Sequence, residues 1–597
     1  MSIVAMQKVA VCGPLPEKDA VIEALQRLGV LHLIPLTTAD PLAPTDAAER
    51  NLARTAFRHL TESPEQRRLY RPGTAFDLTA IVREITENRR RLRRLSDRRD
   101  ELIQRIGDVS IWGDIELPPI DALGGERFWF YVLPIKERAA LDRLQLPWAI
   151  VGKDTTHIFI VVVTPEEPAA DLLPVPRTHF GARPLHELTA ELDELEIDLD
   201  KARAERGELT RWRLLLGAEL AGAEDADERR DVASKTLDTD GLFALQGWAP
   251  AESVTAIEQL ALDQHLAVLA ESPTADDKPP TLLRPHDARL GGGADLTNFY
   301  TTPAYGAWDP SFIVFTSFAI FFAMILADAG YAALIGLIVV WYWSRMGKTE
   351  SGQRMRVMLT VIAGASFIYG VLAGSYFGVA PPKGGLLAKL AIIDVTNFDE
   401  MMKLSVVIGA VHIGIALAAT AWLGRHSLKV LVPIGWLAVI AGGLLIWLGG
   451  GAFAIGGPAI LIAGFVSVFI GAASGRVIRT KADWLLRFSD GFMGLTGITK
   501  LFGDILSYLR LFALGLASAS LATTFNGMAA GLQISRPGLG LLASILILLF
   551  GHAINFVIGI MGGVVHGLRL NYIEFFGWGL SEEGYPFRAF AKREIPE

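Results

Sequence analysis

Apolar segments of bilayer length fill the second half of this chain, and they limit its possible folds more than any other feature. Eight such runs lie at 311–327, 329–345, 355–378, 402–423, 428–449, 453–474, 488–530 and 537–570. Most are near the length of about 20 residues that a helix needs to cross a bilayer. Hydrocarbon offers no partner to backbone polar groups, so these runs must be helical. The sequence therefore predicts a membrane domain of eight transmembrane helices over 301–597, with a short cytoplasmic tail.

Composition separates this membrane half from a polar first half. The chain is 51% hydrophobic with a mean hydropathy of +0.35, and its apolar residues concentrate after residue 310. A net charge of −8 gives no reason to expect nucleic-acid binding. Cys12 is the only cysteine, which excludes disulfides within the chain and thiolate metal clusters. We predict no metal or cofactor. The N-terminal apolar run is too short for a secretory signal, so the first half is expected in the cytoplasm.

The first half, 1–300, reads as α/β lobes joined by a long antiparallel coiled coil. Lobes are predicted near 1–77 and 110–180, and the segment 238–300 reads as a further α/β piece followed by a linker. Leucines at alternating three- and four-residue steps follow 184–222 and predict a coiled-coil seam, interrupted at Arg206 and near Trp212. The charged helix 78–108 is its expected partner. An ordinary helical hairpin inside a globular domain is the alternative.

Basic residues set the expected orientation. The stretch 311–344 can form two helices, or one overlong helix interrupted at 328–330. Lysines and arginines collect at 345–356, 425–429, 476–487 and 588–593. They share a side with the N-terminal half only if 311–344 crosses twice, as the positive-inside rule requires. We therefore expect both termini in the cytoplasm of a bacterial or archaeal cell, with the chain in its plasma membrane.

Arg510 stands near the middle of a long apolar stretch, within KLFGDILSYLRLFALGLASAS at 500–520. It is too far from either end to reach water by extending its side chain. A guanidinium in the middle of a membrane costs at least about 2.5–3.5 kcal/mol on insertion scales, so such a residue is usually functional and paired. No acid of this chain is an obvious partner in the sequence. The expected carboxylate therefore belongs to another subunit.

The last apolar segment carries a polar stripe with three- and four-residue steps, formed by His552, Asn555, Gly559, Gly562, His566 and Arg569. Such steps place residues on one face of a helix. The stripe as a whole favours a polar path. Taken singly, Arg569 is also explained by a position near the cytoplasmic end of its segment, and the histidines by packing.

The same topology orders the candidates for an ion path. Those on the cytoplasmic side are Lys500, Asp504, Ser507, Tyr508, His566 and Glu574, and those nearer the outside are His552 and Asn555. Asp328 falls at the outer turn of the first helix pair, where a helix N-cap explains it equally well. His412 lies in the fourth segment, where packing is the alternative to a role in ion transfer.

Several motifs resemble one family throughout the chain. GDILSYLRLFALGLASA followed by GHAINFVIGIMGGVVHGLRLNYIEFF is similar to the last two membrane helices of subunit a, or subunit I, of the V-type/A-type rotary ATPases. Seven earlier motifs agree with the family in the same order: KVAVCG, LQGWAP, PPTLLRP, DPSF, FFAMILADAGY, GSYFG and LSVVIGAVHIG. In that family two arginines face the rotor ring and keep its carboxylate ionised between two aqueous half-channels. They match Arg510 and Arg569. Eukaryotic members carry a glutamate where this chain has Gly559.

The resemblance implies a stator subunit without a catalytic site of its own. Its implied partners are the rotor ring of c subunits, peripheral stalk subunits of the E and G type, the subunit that connects the central stalk to the membrane sector and, indirectly, the ATP-hydrolysing A and B subunits. A phosphate loop needs GxxxxGK[ST] after a strand, and Gly347, Lys348 and Thr349 supply only its end. A self-contained secondary transporter and a membrane-anchored scaffold are the alternative functions.

Overall fold

The computed structural model describes residues 2–37, 47–67, 76–116, 118, 120–169, 172–178, 183–274, 276–284, 291–449, 452–475, 478, 480–535, 539–580 and 582–593. The chain divides into two compact units. The first contains Met1–Leu36 and Thr236–Ala591, and the second contains Thr37–Lys235 and Lys592–Glu597. Arg476, which belongs to one predicted basic cluster, lies outside the described residues.

The described strands are β1 (Ser2–Ile3), β2 (Met6–Pro14), β3 (His32–Ile34), β4 (Arg127–Pro134), β5 (Trp148–Lys153), β6 (His157–Thr164), β7 (Arg177–Thr178), β8 (Leu237–Thr239), β9 (Leu242–Pro250), β10 (Ala267–Glu271) and β11 (Leu283–Arg284). The described helices are α1 (Lys18–Leu28), α2 (Ala47–Thr61), α3 (Leu78–Ser110), α4 (Leu185–Leu209), α5 (Arg213–Ser234), α6 (Val254–Asp263), α7 (Gly292–Tyr300), α8 (Ser311–Leu326), α9 (Ala329–Met346), α10 (Glu350–Leu372), α11 (Leu386–Leu390), α12 (Phe398–Leu423), α13 (Leu431–Leu448), α14 (Ala452–Ala473), α15 (Lys481–Leu495), α16 (Gly497–Leu506), α17 (Leu509–Ser535), α18 (Leu539–Arg569) and α19 (Phe576–Gly579).

The first lobe joins two distant parts of the chain. Its antiparallel sheet has the order β10-β2-β9-β3, with β8 added beside β9. β2 pairs with β9 along its whole length, from Met6 opposite Pro250 to Pro14 opposite Leu242. The sequence analysis assigned β2 and β9 to separate pieces, because local patterns do not show which distant strands will pair. The lobe is therefore complete only when both segments are present.

The second unit combines a helical arm with another sheet. In the arm α3 and α4 run antiparallel, because Asn88 Nδ2 donates to the Ala202 carbonyl at 3.0 Å while Arg98 pairs with Glu191 at 2.7 Å. The predicted antiparallel pairing is confirmed. The seam is not one continuous helix, since a 3₁₀ turn at Thr210–Trp212 separates α4 from α5. The antiparallel sheet β5-β6-β4-β7 lies within the second predicted lobe, near 110–180.

The membrane half begins with a reversal between α8 and α9. Ala327 has a left-handed backbone with φ of +47° and ends α8. The start of α8 lies near the start of α10, because one short segment contacts both. Its Gly293 lies against Ser311 of α8, and its Gly291 lies against Arg354 of α10. Met346 at the end of α9 also lies there, because its carbonyl is close to Gly352 in α10. The stretch 311–344 therefore doubles back, as the two-crossing alternative predicts.

Seven helical segments among the described residues are long and apolar enough to cross a membrane: Ala329–Met346, Glu350–Leu372, Phe398–Leu423, Leu428–Leu448, Gly456–Ala473, Ala482–Leu532 and Gly540–Gly579. They correspond to seven of the eight predicted runs, and the remaining run, 311–327, forms the shorter apolar helix α8, of 16 residues. α8 is short because the left-handed Ala327 stops it one residue before the Asp328 cap of α9. The chain is a multi-pass membrane protein.

Aromatic and basic side chains meet at one end of the helical bundle, which we call the basic end. It contains the start of α8, the turn after α9 and the end of α12. Here Arg345, Arg356 and Arg425 lie over the rings of Tyr342, Trp343 and Trp422 at 5.8, 4.3 and 4.8 Å respectively. Such an aromatic belt with cations beside it is typical of a membrane–water interface. The Asp328 end of the bundle is opposite.

Candidate functional site

Arg510 lies in the first turn of α17, directly after Ser507 and Tyr508, which separate this helix from α16. Its side chain is 22% exposed, and Nη1 is 3.8 Å from Oε1 of Glu574, whose side chain is 2% exposed. The sequence offered no obvious partner for Arg510 within this chain, whereas the structure pairs it with Glu574. Glu574 lies within a π-helical turn, Leu570–Phe575. Such a turn departs from the 3.6-residue period, so helical spacing alone did not indicate which way the carboxylate faces.

The ion pair leaves hydrogen-bonding capacity unused. Arg510 Nη1 and Glu574 Oε2 are buried, and neither has a hydrogen-bond partner among the described residues. The Ser507 hydroxyl lies beside the carboxylate and also donates to the Gly503 carbonyl at 3.1 Å. Buried charged groups without full hydrogen bonding are costly to a fold. This site therefore retains both a free donor and a free acceptor.

Two further basic groups approach from the end of α18. The charge of Arg569 acts electrostatically on Arg510, and both arginine charges act on His566. Both arginine charges also act on the buried carboxylate of Glu574. With His566 neutral, this cluster carries one excess positive charge. It is suited to attracting an additional carboxylate.

Lys500 and Asp504 lie on the basic-end side of Arg510 and attach α16 to the segment after Glu574. Lys500 Nζ donates to the Gly577 carbonyl at 2.9 Å and lies 4.9 Å from the centre of a Trp578 ring. Asp504 Oδ2 accepts from Trp578 Nε1 at 2.7 Å. These contacts hold the two arginine-bearing segments together where they approach the interface.

His412 and Tyr508 form a buried pair next to this cluster. Tyr508 Oη lies 2.7 Å from His412 Nδ1, and the imidazole stacks on Phe575 with ring centres 4.2 Å apart. The neighbouring residue, Glu574, belongs to the arginine site. His412 Nε2 is buried and has no partner among the described residues. His412 is thus packed, as the alternative proposed, and also retains one unused polar atom.

Asp328 is the N-cap of α9, as its alternative interpretation predicted. Its carboxylate accepts from Tyr331 N at 3.0 Å, Ser375 Oγ at 2.6 Å, Phe377 N at 2.9 Å and Gly378 N at 2.9 Å. The last three donors belong to the GSYFG motif, in which Phe377 and Gly378 both have positive φ. Four hydrogen bonds satisfy this carboxylate and fasten the loop after α10 to the start of α9.

His552 and Asn555 meet at Tyr331, near the same end. Tyr331 Oη lies 2.7 Å from His552 Nδ1 and accepts from Asn555 Nδ2 at 3.1 Å. His552 Nε2 lies 3.0 Å from Asn526 Oδ1, while Asn526 Nδ2 donates to the Phe377 carbonyl at 2.8 Å. Since Asn526 Oδ1 can only accept, Nε2 donates to it, and Nδ1 is left to accept from the Tyr331 hydroxyl. The hydrogen bonds therefore run in one direction, with each donor preceding its acceptor from Asn555 through Tyr331, His552 and Asn526 to the Phe377 carbonyl.

The structure therefore gathers the predicted site residues into two groups. Arg510, Arg569, Glu574, His566, Ser507, Tyr508, His412, Lys500 and Asp504 form the group toward the basic end, and Asp328, His552 and Asn555 form the group toward the other end. Sequence analysis missed Tyr331, Asn526, Ser518 and Trp578. Tyr331 ends the FFAMILADAGY motif, which was its only signal. The described residues contain no group of three or more His, Cys, Asp or Glu that could hold a metal ion.

These features define a class: multi-pass membrane proteins with paired arginines and a buried carboxylate in their last two long helices. No family model matches the chain. The chain is similar to the A-type ATP synthase subunit I of Methanocaldococcus jannaschii, with 28% identity over 454 residues, 68% of this chain and 64% of that protein. It thus spans just under two thirds of the length of that relative. It is also similar to the V-type ATP synthase subunit I 1 of Treponema pallidum, with 26% identity over 645 residues, 99% of this chain and 100% of that protein.

A solved structure, the cytoplasmic N-terminal domain of subunit I, homolog of subunit a, of V-ATPase, matches with 19% identity and a TM-score of 0.24 over 44% of this chain and 99% of that one. A likeness at that level carries no structural conclusion. The sequence relatives confirm the resemblance to subunit I of the A-type and V-type ATP synthases.

Proposed function

We propose that this chain is the membrane stator subunit of a V/A-type rotary ATPase and that it carries protons past a rotor ring. One observation supports this most directly: Arg510 pairs with the buried carboxylate of Glu574, and the charge of Arg569, on the next membrane segment, acts on both groups. A structural role needs only one cation for one anion. The excess positive charge suits a partner that brings its own carboxylate into the membrane.

The chemistry follows from the charges. An arginine stays protonated at any physiological pH, and a cation favours the ionised form of a carboxylate that approaches it. A ring carboxylate therefore releases its proton as it reaches Arg510. The fixed positive charge also opposes direct passage of a proton from one half-channel to the other. Glu574 reduces this charge and keeps the arginine pair tolerable in hydrocarbon.

The two groups of polar residues support two half-channels. Toward the basic end, Ser507, His566 and Glu574 offer groups that exchange protons or bind water, with Lys500, Asp504 and Tyr508 beside them. Toward the other end, His552 is half-buried and Asn555 is fully buried. Ser518, which contacts Asn555, lies eight residues from Arg510, or about 12 Å along a helix. Asp328 supports this half-channel by holding its walls, since its carboxylate is already satisfied.

The proposed surroundings follow from the resemblance. Residues 1–300 lie in the cytoplasm, and residues 301–597 form the membrane domain, in the plasma membrane of a bacterium or archaeon, with a short C-terminal tail in the cytoplasm. The ring of c subunits passes the arginine site. The helical arm binds peripheral stalks of the E and G type, and the membrane sector contacts the subunit that connects to the central stalk. ATP is handled by A and B subunits, so this chain has no catalytic site.

ATP-driven acidification of vesicles that contain the whole complex tests this function. Arg510→Ala is compared with Arg425→Ala, a control that removes an exposed cation whose recorded contacts are with Trp422. We expect Arg510→Ala to abolish pumping in complexes that assemble normally, whereas the control pumps like the wild type. Full pumping by assembled Arg510→Ala complexes would refute the role of Arg510. Proton transport by the purified chain alone would instead favour the secondary transporter.

A further inference from the structure

Near its described end, the chain has no regular secondary structure and is attached to the first lobe by hydrogen bonds. We call residues 582–591 the tail strap. Its Tyr585 carbonyl accepts from Thr281 N at 2.8 Å, and its Phe587 N donates to the Thr281 carbonyl at 3.0 Å. Farther along, Phe590 N donates to the Leu31 carbonyl at 2.8 Å, and the Phe590 side chain is 3% exposed. The strap is thus fixed both to the linker and to the loop before β3.

His32 of β3 contacts the middle of the tail strap. Its Nδ1 accepts from the backbone N of Arg588 at 2.9 Å. Its ring also contacts those of Tyr585 and Phe587, with centres 5.6 and 5.8 Å apart. A backbone N–H can only donate, so Nδ1 must carry a lone pair, whereas an imidazolium ion has none to offer. The observed contact therefore requires neutral histidine.

We propose that His32 is a pH-sensitive latch: protonation of its ring releases the Arg588–Ala591 end of the tail strap from the first lobe. Protonation replaces one hydrogen bond with two facing N–H donors. It also places a positive charge beside that of Arg588. Both changes act against the docked strap and leave the unbound strap unaffected.

The groups around His32 agree with this direction. On the strap side they are Arg588, whose charge acts on His32, and Tyr585, whose hydroxyl donates to the Lys278 carbonyl at 2.7 Å. On the sheet side Trp248 of β9 lies opposite His32, and the Lys8 Nζ beyond it pairs with Asp277 at 3.1 Å. No carboxylate is recorded in contact with His32 among the described residues. Burial, and then the charge of Arg588, lower the pKa of this ring.

The sign of the effect follows. A histidine with a lowered pKa in the docked state contributes stability above its free pKa of about 6.5 and loses it as pH falls. The tail strap follows α19, which follows the π-helical turn that carries Glu574. Acidification therefore loosens the attachment between the end of the arginine-bearing segment and the first lobe. This device is independent of the proposed transport function.

Amide hydrogen exchange on the full-length chain tests the latch. Protection factors, corrected for the intrinsic exchange rate at each pH, are compared at pH 7.5 and pH 5.5 for peptides from the tail strap and from β9. We expect protection at Arg588–Ala591 to fall about tenfold at the lower pH, the factor set by titration of a group with a free pKa near 6.5. Protection in β9 stays constant.

Two variants complete the test. His32→Gln keeps an acceptor for the Arg588 amide and does not titrate, so the strap should stay protected at both pH values. His426→Gln, at an exposed histidine in another loop, should behave like the wild type. The latch is refuted if wild-type protection of the strap does not change with pH, or if His32→Gln loses as much protection as the wild type. The wild-type comparison between strap and β9 decides the matter even if a variant fails to fold.

Discussion

Tyr331 shows how one hydroxyl organises several membrane helices. It is 1% exposed, and its Oη interacts with His552 and Asn555 at 2.7 and 3.1 Å. Asn526 Oδ1 can only accept, so it places the proton on His552 Nε2, and the Tyr331 hydroxyl serves the other ring nitrogen. A residue absent from the initial set of candidates is therefore central to one of the two polar groups.

Replacing Tyr331 with phenylalanine should destabilise the chain. Tyr331→Phe leaves His552 Nδ1 and one N–H of the buried Asn555 amide without a partner, which costs about 1–3 kcal/mol. Tyr342→Phe, at an exposed tyrosine of the same helix, should cost far less. Thermal denaturation of the purified chain in detergent measures both. Equal losses in the two variants would show that the hydrogen bonds of Tyr331 contribute little.

Arg510 and Glu574 should be energetically coupled. Glu574→Gln removes the counter-charge of a partly buried guanidinium, and we expect a loss of about 1–3 kcal/mol. The double variant Arg510→Gln, Glu574→Gln should be more stable than Glu574→Gln alone, because no unpaired charge remains. A double-mutant cycle on thermal stability measures this coupling. Strictly additive effects would contradict the ion pair.

Close contact between α8 and α18 depends on glycine at specific positions. A Cβ at Gly563 would approach the Phe322 ring to 2.5 Å, whereas one at Gly562 would lie 3.6 Å from Ile325, an ordinary contact. Gly559, at the position of the eukaryotic glutamate, also faces α8, with Leu326 Cδ1 at 3.0 Å. The glycines of the stripe thus differ in how much room their surroundings leave.

Adjacent substitutions should distinguish these positions. We expect Gly563→Ala to lower stability by about 1–3 kcal/mol through overpacking. Gly562→Ala should be neutral or slightly stabilising, because alanine favours the helix. Thermal denaturation in detergent provides the comparison. Loss of stability in Gly562→Ala alone would show that the stated helix contact is wrong.

His59 of α2, in the second unit, is a second histidine whose contribution to stability depends on pH. Burial lowers the pKa of His59, and the charges of Arg206 and Arg89 lower it further. Its contribution to the free energy of unfolding is therefore complete above a pH of about 6.5 and lost as pH falls below that value. We expect corrected amide protection in α2 to decrease between pH 7 and pH 5. His59→Gln should remove that dependence, and an unchanged dependence in the variant would exclude His59 as its source.

The sequence predicted this arm well, except where its regular pattern stops. Arg206 interrupts the leucine seam, and its Nε and Nη2 donate to the His59 carbonyl at 3.0 and 2.7 Å. The interruption therefore marks a contact with the C-terminal end of α2, a helix that was not predicted. Helices and membrane segments follow from local periodicity. The Arg510–Glu574 pair and the β2–β9 pairing depend on residues far apart in sequence, which a periodic pattern does not connect.

At the scale of the whole molecule, residues 37–235 form an insertion in the first unit. The two ends of that insertion are adjacent, because Thr37 N donates to the Lys235 carbonyl at 3.3 Å and Thr37 Oγ1 donates to the Ser234 carbonyl at 3.1 Å. Neighbouring ends are typical of a domain that can be inserted or removed as a unit. The first unit should therefore not need the second for its own fold.

Replacing 37–235 with a short Gly/Ser linker tests this independence. We expect the shortened chain to insert into membranes and to retain amide protection in β2 and β9 within about threefold of the full chain, a difference of about 0.7 kcal/mol. Hydrogen exchange and membrane fractionation measure both properties. Unprotected β2 amides in a membrane-inserted product would show that the first lobe requires the inserted unit.

The insertion also affects the order of events during synthesis. β2 is made early, but its partner β9 emerges only after residues 37–235 of the second unit have been translated. At about 5–20 residues per second, β2 waits roughly 10–50 s for its neighbour. During that interval a strand edge is exposed that the finished molecule covers. The N-terminal part of the nascent chain therefore needs chaperones to protect it before the membrane half needs the insertion machinery.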